Sequence, residues 1–294
     1  MILVLITRDE PIETMNLSEA AARLGVHYMT AYRYVRLGQL PATQSNGRWV
    51  VRRDAVDELR RTLASPPPAA VGSGRRRRGE LSDRLLRFLR EADEPGAWTV
   101  IERALATGYT PSELYLDLLA PALQTIGDQW ANGEVKVDDE HKVTAVALRL
   151  VGRLGPRFVR RGRKRGTVVL GAAPGDPHAL PVAMLADIVR GRGYRVVDLG
   201  GNVPVQSYVD AGTSAERILA VGVSVSDASC LGAAADVVQA VHERLGVPVL
   251  VGGPATDEQT GAHVGSDGWA PDAEAAGDVI ERLRDAQDGR SQRA

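Results

Sequence analysis

The residues best suited to chemistry are an aspartate and a histidine two positions apart, Asp176 and His178. They lie between an apolar run at 167–170, which predicts a buried strand, and a run at 182–189, which predicts a helix. A histidine in that place lies on a loop at the carboxyl end of a strand, where open α/β sheets bind ligands. Asp176 can hold one ring nitrogen while the other faces a metal. The alternative interpretation is an ordinary surface histidine.

The elements that must position this loop alternate between strand and helix patterns over residues 166–288. Such alternation implies a parallel sheet covered on both faces, and five strands in one domain are typical of a flavodoxin-like Rossmann fold. The predicted strands are 167–172, 195–199, 218–224, 248–252 and a short one near 268–270. The predicted helices are 179–192, 204–212, 229–245 and 272–286.

Residues 80–160 contain no strand pattern and predict a four-helix bundle with short connections. The expected helices are 80–92, 97–107, 112–132 and 137–153. Trp130 ends the third of these, and Glu140 and His141 open the fourth, so all three side chains can lie at one end of the bundle. The alternative is a core tryptophan beside a solvated glutamate in a first helical turn.

Residues 1–64 predict a small helical domain with a hairpin. Helices are expected at 17–24, with Ser18 as its cap, and from Tyr28 to Leu37, with a Gly25 turn between them, which is a helix-turn-helix pattern. A returning hairpin strand at 48–51 and a third helix at 54–63 follow, and residues 1–15 form an arm. Residues 65–79, rich in proline, glycine and arginine, predict a flexible linker.

Composition places the 294-residue chain among ordinary multidomain proteins, with 44% hydrophobic and 25% charged residues. The single Cys230 excludes an internal disulfide and, like the absence of a signal-peptide or membrane-spanning pattern, predicts a cytoplasmic location. The net charge of −1 is unevenly spread. Residues 1–79 carry 13 Arg against 7 acidic residues, which indicates that the amino-terminal part of the chain binds nucleic acid.

The loop motif resembles the cobalamin-binding signature Asp-x-His-x-x-Gly, with Pro181 where that family has glycine. The resemblance implies that His178 is the lower axial ligand of cobalt and that the adjoining Ala179 and Leu180 contact the cofactor. It also implies cofactor contacts at the ends of the third and fourth strands. Those residues are Ser224, Ser226, Gly252 and Gly253.

The pattern Trp-x9-Glu-His formed by Trp130, Glu140 and His141 is similar to that of a helical bundle that caps the upper face of cobalamin. The resemblance implies that Trp130 packs against the upper axial group and that Glu140 and His141 hydrogen-bond to it.

The segment from Asn16 to Leu63 resembles the winged helix-turn-helix of the excisionase and MerR-like group. In that group the second helix enters the major groove of DNA. The resemblance implies DNA contacts from the second helix and the hairpin, at Tyr28, Thr30, Arg33, Arg36 and Arg48. The alternative is a small protein-interaction module.

The order of the three domains resembles the cobalamin-dependent photoreceptor repressors of the CarH/LitR type. That resemblance implies adenosylcobalamin, double-stranded operator DNA, a homo-oligomer such as a tetramer, and light as the signal. One departure is Ala131, where such photoreceptors can carry a histidine that takes cobalt after illumination. Two alternatives remain: a light-independent cobalamin or metabolite sensor, and a corrinoid carrier for a methyltransferase. The sequence shows no nucleophile–base or carboxylate pair, so the chain is not expected to be an enzyme by itself.

Overall fold

The chain divides into two compact units, Met1–Ser73 and Gly74–Ala294. The computed structural model describes residues 13–26, 28–36, 39–45, 48–64 and 72–291. Among these residues, no helix combines the length and the apolar composition that a membrane span needs.

The first unit packs three helices against a small antiparallel sheet. Its elements are β1 (Thr14–Asn16), α1 (Leu17–Leu24), α2 (Tyr28–Arg36), β2 (Ala42–Ser45), β3 (Arg48–Arg52) and α3 (Arg53–Ala64), with strand order β1-β3-β2. The predicted helices and hairpin strand are present, but the cap of α1 is Asn16, which forms a reciprocal capping box with Glu19, and Ser18 lies inside the first turn. The predicted arm contributes β1, because Met15 pairs with Val51.

The second unit begins with a helical bundle. Its elements are α4 (Gly72–Arg90), α5 (Glu94–Ala106), α6 (Pro111–Glu113), a π-helical segment (Leu114–Leu119), α7 (Ala120–Ala131) and α8 (Val137–Leu154). The third predicted helix is thus one column, α6 through α7, with a π-helical centre. Residues 72–79, which the sequence placed in the linker, form the start of α4, since arginine is a strong helix former and the prolines that would stop a helix lie earlier, at 66–68.

A 3₁₀ turn (Gly155–Phe158) leads into an α/β domain. Its elements are β4 (Thr167–Ala172), α9 (Ala179–Gly191), β5 (Arg195–Asp198), α10 (Val205–Ser214), β6 (Ile218–Ser224), α11 (Leu231–Leu245), β7 (Val249–Gly252), α12 (Glu258–His263), β8 (Gly268–Ala270) and α13 (Ala273–Ser291). The five predicted strands are confirmed. The short α12 was not predicted, because its six residues carry no apolar period and only the Asp257–Thr260 capping box defines its start.

The sheet is parallel, with strand order β5-β4-β6-β7-β8. The strand order reverses beside β4, so the carboxyl ends of β4 and β6 border the crevice in which such sheets bind ligands. The apolar core of the bundle continues into α9 through Leu180, Met184 and Ile188. The bundle and the helix that follows the histidine loop therefore share one core.

Candidate cofactor site

Asp176 is a fully buried carboxylate on the loop after β4. Its Oδ1 lies 2.6 Å from Nδ1 of His178 and accepts the His178 backbone N–H at 3.1 Å. Its Oδ2 accepts the backbone N–H of Ser226, at the end of β6, at 2.5 Å. Both oxygens are therefore used, and one side chain joins the ends of two neighbouring strands to the histidine.

The loop that carries this pair is held by the turn after β5. The side chain of Asn202 accepts the Gly175 N–H at 2.7 Å, and the Asn202 N–H donates to the Asp176 carbonyl oxygen at 2.5 Å. A Cβ at Gly201 would lie 2.5 Å from the carbonyl oxygen of Pro177, so a side chain there would push the loop away. Gly201 and Asn202 were not singled out as site residues, although they belong to a Gly-Gly-Asn run after a predicted strand.

His178 is the N-cap residue of α9, with its side chain half-exposed. Because Nδ1 faces the Asp176 carboxylate, it carries the ring proton, and Nε2 is left to ligate a metal. Pro181 lies in the first turn of α9 and is exposed, a position that tolerates proline. Ala179 is half-buried at the start of this helix. Leu180 is buried within the core that α9 shares with the bundle.

The His178–Asp176 pair shifts both pKa values. The hydrogen bond that His178 donates to Asp176, and then the charge of Asp176, raise the pKa of His178 above its usual 6.5 despite partial burial, with smaller contributions from Glu140 and Asp227. Burial alone would raise the pKa of Asp176, but hydrogen bonds from His178 and Ser226 outweigh it and lower that pKa below 3.8. Asp227, next to Ser226 in the chain, was not predicted to act on this histidine.

We expect cofactor binding and the stability of the ligand-free chain to change in opposite directions with pH. The stability that comes from the raised pKa of His178 is fully present below pH 6.5 and is lost as the pH rises through the raised pKa of the folded state. The stability that comes from the lowered pKa of Asp176 is present above pH 3.8 and is lost as the pH falls through the lowered pKa of the folded state. A metal needs the neutral ring, so affinity should fall about tenfold per pH unit below the His178 pKa. Titration of the affinity from pH 8 to pH 5 checks this; a flat profile would contradict it.

The ends of β6 and β7 form a close backbone cradle beside the pair. Gly253 has a φ of +117°, and a Cβ there would lie 2.4 Å from the carbonyl oxygen of Val225; a Cβ at Gly252 would lie 3.0 Å from that of Ala270. Ser224 is half-buried. The hydroxyl oxygen of Ser226 is buried and has no hydrogen-bond partner in the described part of the chain. Such an unpaired polar atom suits a polar ligand group.

The bundle residues predicted to cover a cofactor lie at one end of the bundle. Trp130 is 50% exposed, so the core-tryptophan interpretation is wrong. Glu140 accepts from the Thr144 hydroxyl at 2.7 Å and lies 3.4 Å from Nδ1 of the exposed His141. The charge of Glu140 is one of the smaller causes of the raised pKa of His178. The side chain of Ala131 lies outside the described residues.

The predicted DNA-contacting residues lie on α2 and β3 of the first unit. Tyr28 is half-buried and packs against the core of that unit, so its ring is less exposed than the sequence indicated. The side chains of the other four lie outside the described part of the chain, namely Thr30, Arg33, Arg36 and Arg48. Their contacts with DNA stay predictions.

Comparison with known families assigns a class to each segment. Residues 81–154 and 166–277 each match a family model described as a B12 binding domain, and residues 14–63 match one described as a helix-turn-helix domain. B12 is cobalamin, so the predicted order of a helix-turn-helix, a helical bundle and a cobalamin-binding sheet recurs in the matched models.

Individual relatives point to corrinoid proteins. The chain is 28% identical over 205 residues to trimethylamine corrinoid protein 1 of Methanosarcina acetivorans, a match that covers 65% of this chain and 90% of the relative. It is 24% identical over 213 residues to a corrinoid protein of Desulfitobacterium hafniense, covering 69% and 97%. The solved monomethylamine corrinoid protein of Methanosarcina barkeri shares the fold, with a TM-score of 0.61 at 20% identity, over 69% of this chain and 98% of that one.

These matches support a cobalamin-binding protein with a Rossmann-like parallel sheet and a helical cap. The relatives are named as corrinoid proteins and not as methyltransferases, and the expectation that this chain is not an enzyme by itself is confirmed. The residues present also fit a corrinoid. Nε2 of His178 can ligate cobalt, and the unpaired Ser226 hydroxyl can bond to a polar group of the cofactor tail.

Proposed function

We propose that this chain holds cobalamin with His178 as the lower ligand of cobalt. The observation that carries the proposal is the buried Asp176 carboxylate, which bonds Nδ1 of His178 at a ligand-binding edge of the sheet and so presents Nε2. Bound cobalamin would supply a cobalt–carbon bond, with adenosylcobalamin as the proposed form. Asp176 keeps the ring proton on Nδ1, Ser226 and the glycine cradle receive the tail, and the bundle end with Trp130, Glu140 and His141 covers the upper face.

The comparisons favour one role for the cofactor-loaded chain over the others. The relatives that match the bundle and the sheet are named trimethylamine corrinoid protein and corrinoid protein. Their names favour a corrinoid carrier that works with a separate methyltransferase. For the unit that binds the cofactor, this is the first candidate.

A second candidate is a transcriptional regulator, favoured by the match of residues 14–63 to a helix-turn-helix model. Only a tenth of the Methanosarcina acetivorans relative lies outside its match, whereas 35% of this chain does. The relative is therefore too short to contain a counterpart of the whole first unit. In this candidate, cobalamin controls a homo-oligomer, such as a tetramer, that holds double-stranded operator DNA, and light or a metabolite changes that assembly.

One experiment separates the two candidates. The full chain, with and without adenosylcobalamin, is passed over a size-exclusion column in the dark and after green illumination, and each peak is tested for retention of a random pool of duplex DNA. A regulator predicts cofactor-dependent retention of selected sequences, and the Arg33→Ala variant should lose most of it while keeping the cofactor, since α2 is the proposed groove helix. Uptake of the cofactor without retention of any selected DNA sequence, in the dark or after illumination, would favour the corrinoid carrier over the regulator.

A further inference from the structure

The bundle and α9 share a buried polar cluster, which lies further along α9 than the histidine loop. Asp187, on α9, is 5% exposed. Its Oδ2 accepts the hydroxyl of Tyr115, a fully buried residue of the π-helical segment, at 2.7 Å, and its Oδ1 accepts Nη1 of Arg190 at 2.9 Å. A tyrosine and a carboxylate from two different parts of the unit therefore meet within an otherwise apolar core.

Three further residues, from α8 and from the 3₁₀ turn that follows it, converge on the same two side chains. The Tyr115 hydroxyl also lies 3.3 Å from the carbonyl oxygen of Val151 on α8. The ring of Phe158, in the turn between bundle and sheet, stacks on that of Tyr115 with centroids 5.0 Å apart. A Cβ at Gly155 would lie 3.3 Å from the Asp187 carboxylate, so the turn approaches the carboxylate closely. A buried polar pair adds little to stability compared with apolar packing, and its best-attested role is to specify one register.

The cluster is connected to both faces of the cofactor site by continuous helix. Tyr115 and Trp130 belong to one unbroken helical column and are fifteen residues, or about 22 Å, apart. Asp187 lies nine residues, or about 14 Å, along α9 from its N-cap His178. Leu180, two residues after His178, is buried in the core that the bundle shares with α9, so the bundle packs beside the histidine loop. A slip between Tyr115 and Asp187 would therefore move Trp130 relative to His178.

We propose that Tyr115 and Asp187 are positioning residues that set the register between the Trp130 end of the bundle and His178, and thereby the closeness of the cover over the upper face of cobalt. This inference rests on the proposed binding of cobalamin and deepens it. Burial, then the hydrogen bond to Asp187, raises the pKa of the Tyr115 hydroxyl above its usual value of 10. The hydroxyl accordingly remains a donor throughout the working pH range.

The test measures access to the upper face directly. The full chain is loaded with hydroxocobalamin, a stoichiometric amount of cyanide is added, and replacement of the cobalt-bound water by cyanide is followed by absorbance. Tyr115→Phe keeps the ring and its stack on Phe158 but deletes the donor. We expect exchange about tenfold faster than in the unaltered chain, with cofactor affinity and the lower-ligand spectrum unchanged. Asp187→Ala should match it, and Asp187→Asn, which keeps an acceptor oxygen, should restore most of the slow rate.

The matched control is Tyr194→Phe. Tyr194 is also buried, and its hydroxyl accepts from Arg284 at 3.2 Å, but it precedes β5 at the amino edge of the sheet. Its exchange rate should equal that of the unaltered chain. An unchanged rate in Tyr115→Phe, or the same increase in both tyrosine variants, would overturn the inference while leaving cobalamin binding in place. Failure of the unaltered chain to take up hydroxocobalamin would overturn the proposed function and this inference together.

Discussion

We expect the His178→Ala variant to lose cobalamin affinity by about 100-fold or more, the largest effect of any single substitution at the site. The substitution removes the ring nitrogen that we propose as the cobalt ligand, and the loss should exceed the 10- to 100-fold that is typical when only a supporting partner is removed. Folding should be little changed, since the His178 side chain is half-exposed. Equilibrium dialysis of the full chain against hydroxocobalamin gives the affinity.

The chain offers a matched control for this substitution. Nε2 of His242 lies 2.7 Å from Asp267, which also accepts the backbone N–H of Val249 at 2.8 Å, so it is a second histidine–aspartate pair tied to a strand. This pair lies at the amino end of β7, whereas the His178 loop lies at the carboxyl ends of the strands. His242→Ala should bind cobalamin as the unaltered chain does. Equal affinities of His178→Ala and the unaltered chain would contradict the assignment of His178 as the cobalt ligand.

The second large effect is expected for Asp176→Asn, which should weaken cobalamin binding 10- to 100-fold. The carboxylate accepts N–H groups from His178 and Ser226 through two oxygens, whereas asparagine has one acceptor oxygen. If its amide nitrogen faces Nδ1 of His178, the ring proton moves to Nε2 and blocks ligation. If it faces Ser226, a buried backbone N–H loses its partner, at about 1–3 kcal/mol.

Two measurements together check this second prediction. Dialysis gives the loss of affinity, and thermal unfolding of the ligand-free chain gives a lower midpoint for Asp176→Asn. Asp267→Asn, at the other histidine–aspartate pair, should keep full cobalamin affinity. Unaltered affinity in Asp176→Asn would mean that the aspartate does not hold the histidine in its ligating form.

The parallel sheet and the histidine loop were predictable from local pattern alone. The run at 167–172 is buried on both faces and apolar after Thr167, and Asp176 and His178 are close in sequence, so their contact is short-range. The bundle was predictable for the same reason, but not the start of α4, because the arginine run reads equally well as a solvated linker and as a helix.

The rest of the site depends on contacts between residues distant in the sequence, which local pattern does not specify. The bond from Ser226 to Asp176 spans fifty residues, and the contact of Tyr115 with Asp187 spans seventy-two. Leu180 belongs to a cofactor motif by sequence, but the bundle packs on the face of α9 that carries it and buries it in the core. The exposure of Trp130 likewise follows from where α7 ends, and not from the residue type.

The most direct test of the central claim is electron paramagnetic resonance of the full chain loaded with cobalamin, reduced to the Co(II) state, after labelling the histidines with ¹⁵N. The unpaired electron lies along the axial direction and couples to the nucleus of the lower ligand. With His178 on cobalt, the triplet splitting from ¹⁴N becomes a doublet on labelling, and His178→Ala abolishes the change. A triplet that persists in the labelled protein would show that the lower ligand is not a histidine of this chain and would contradict the account.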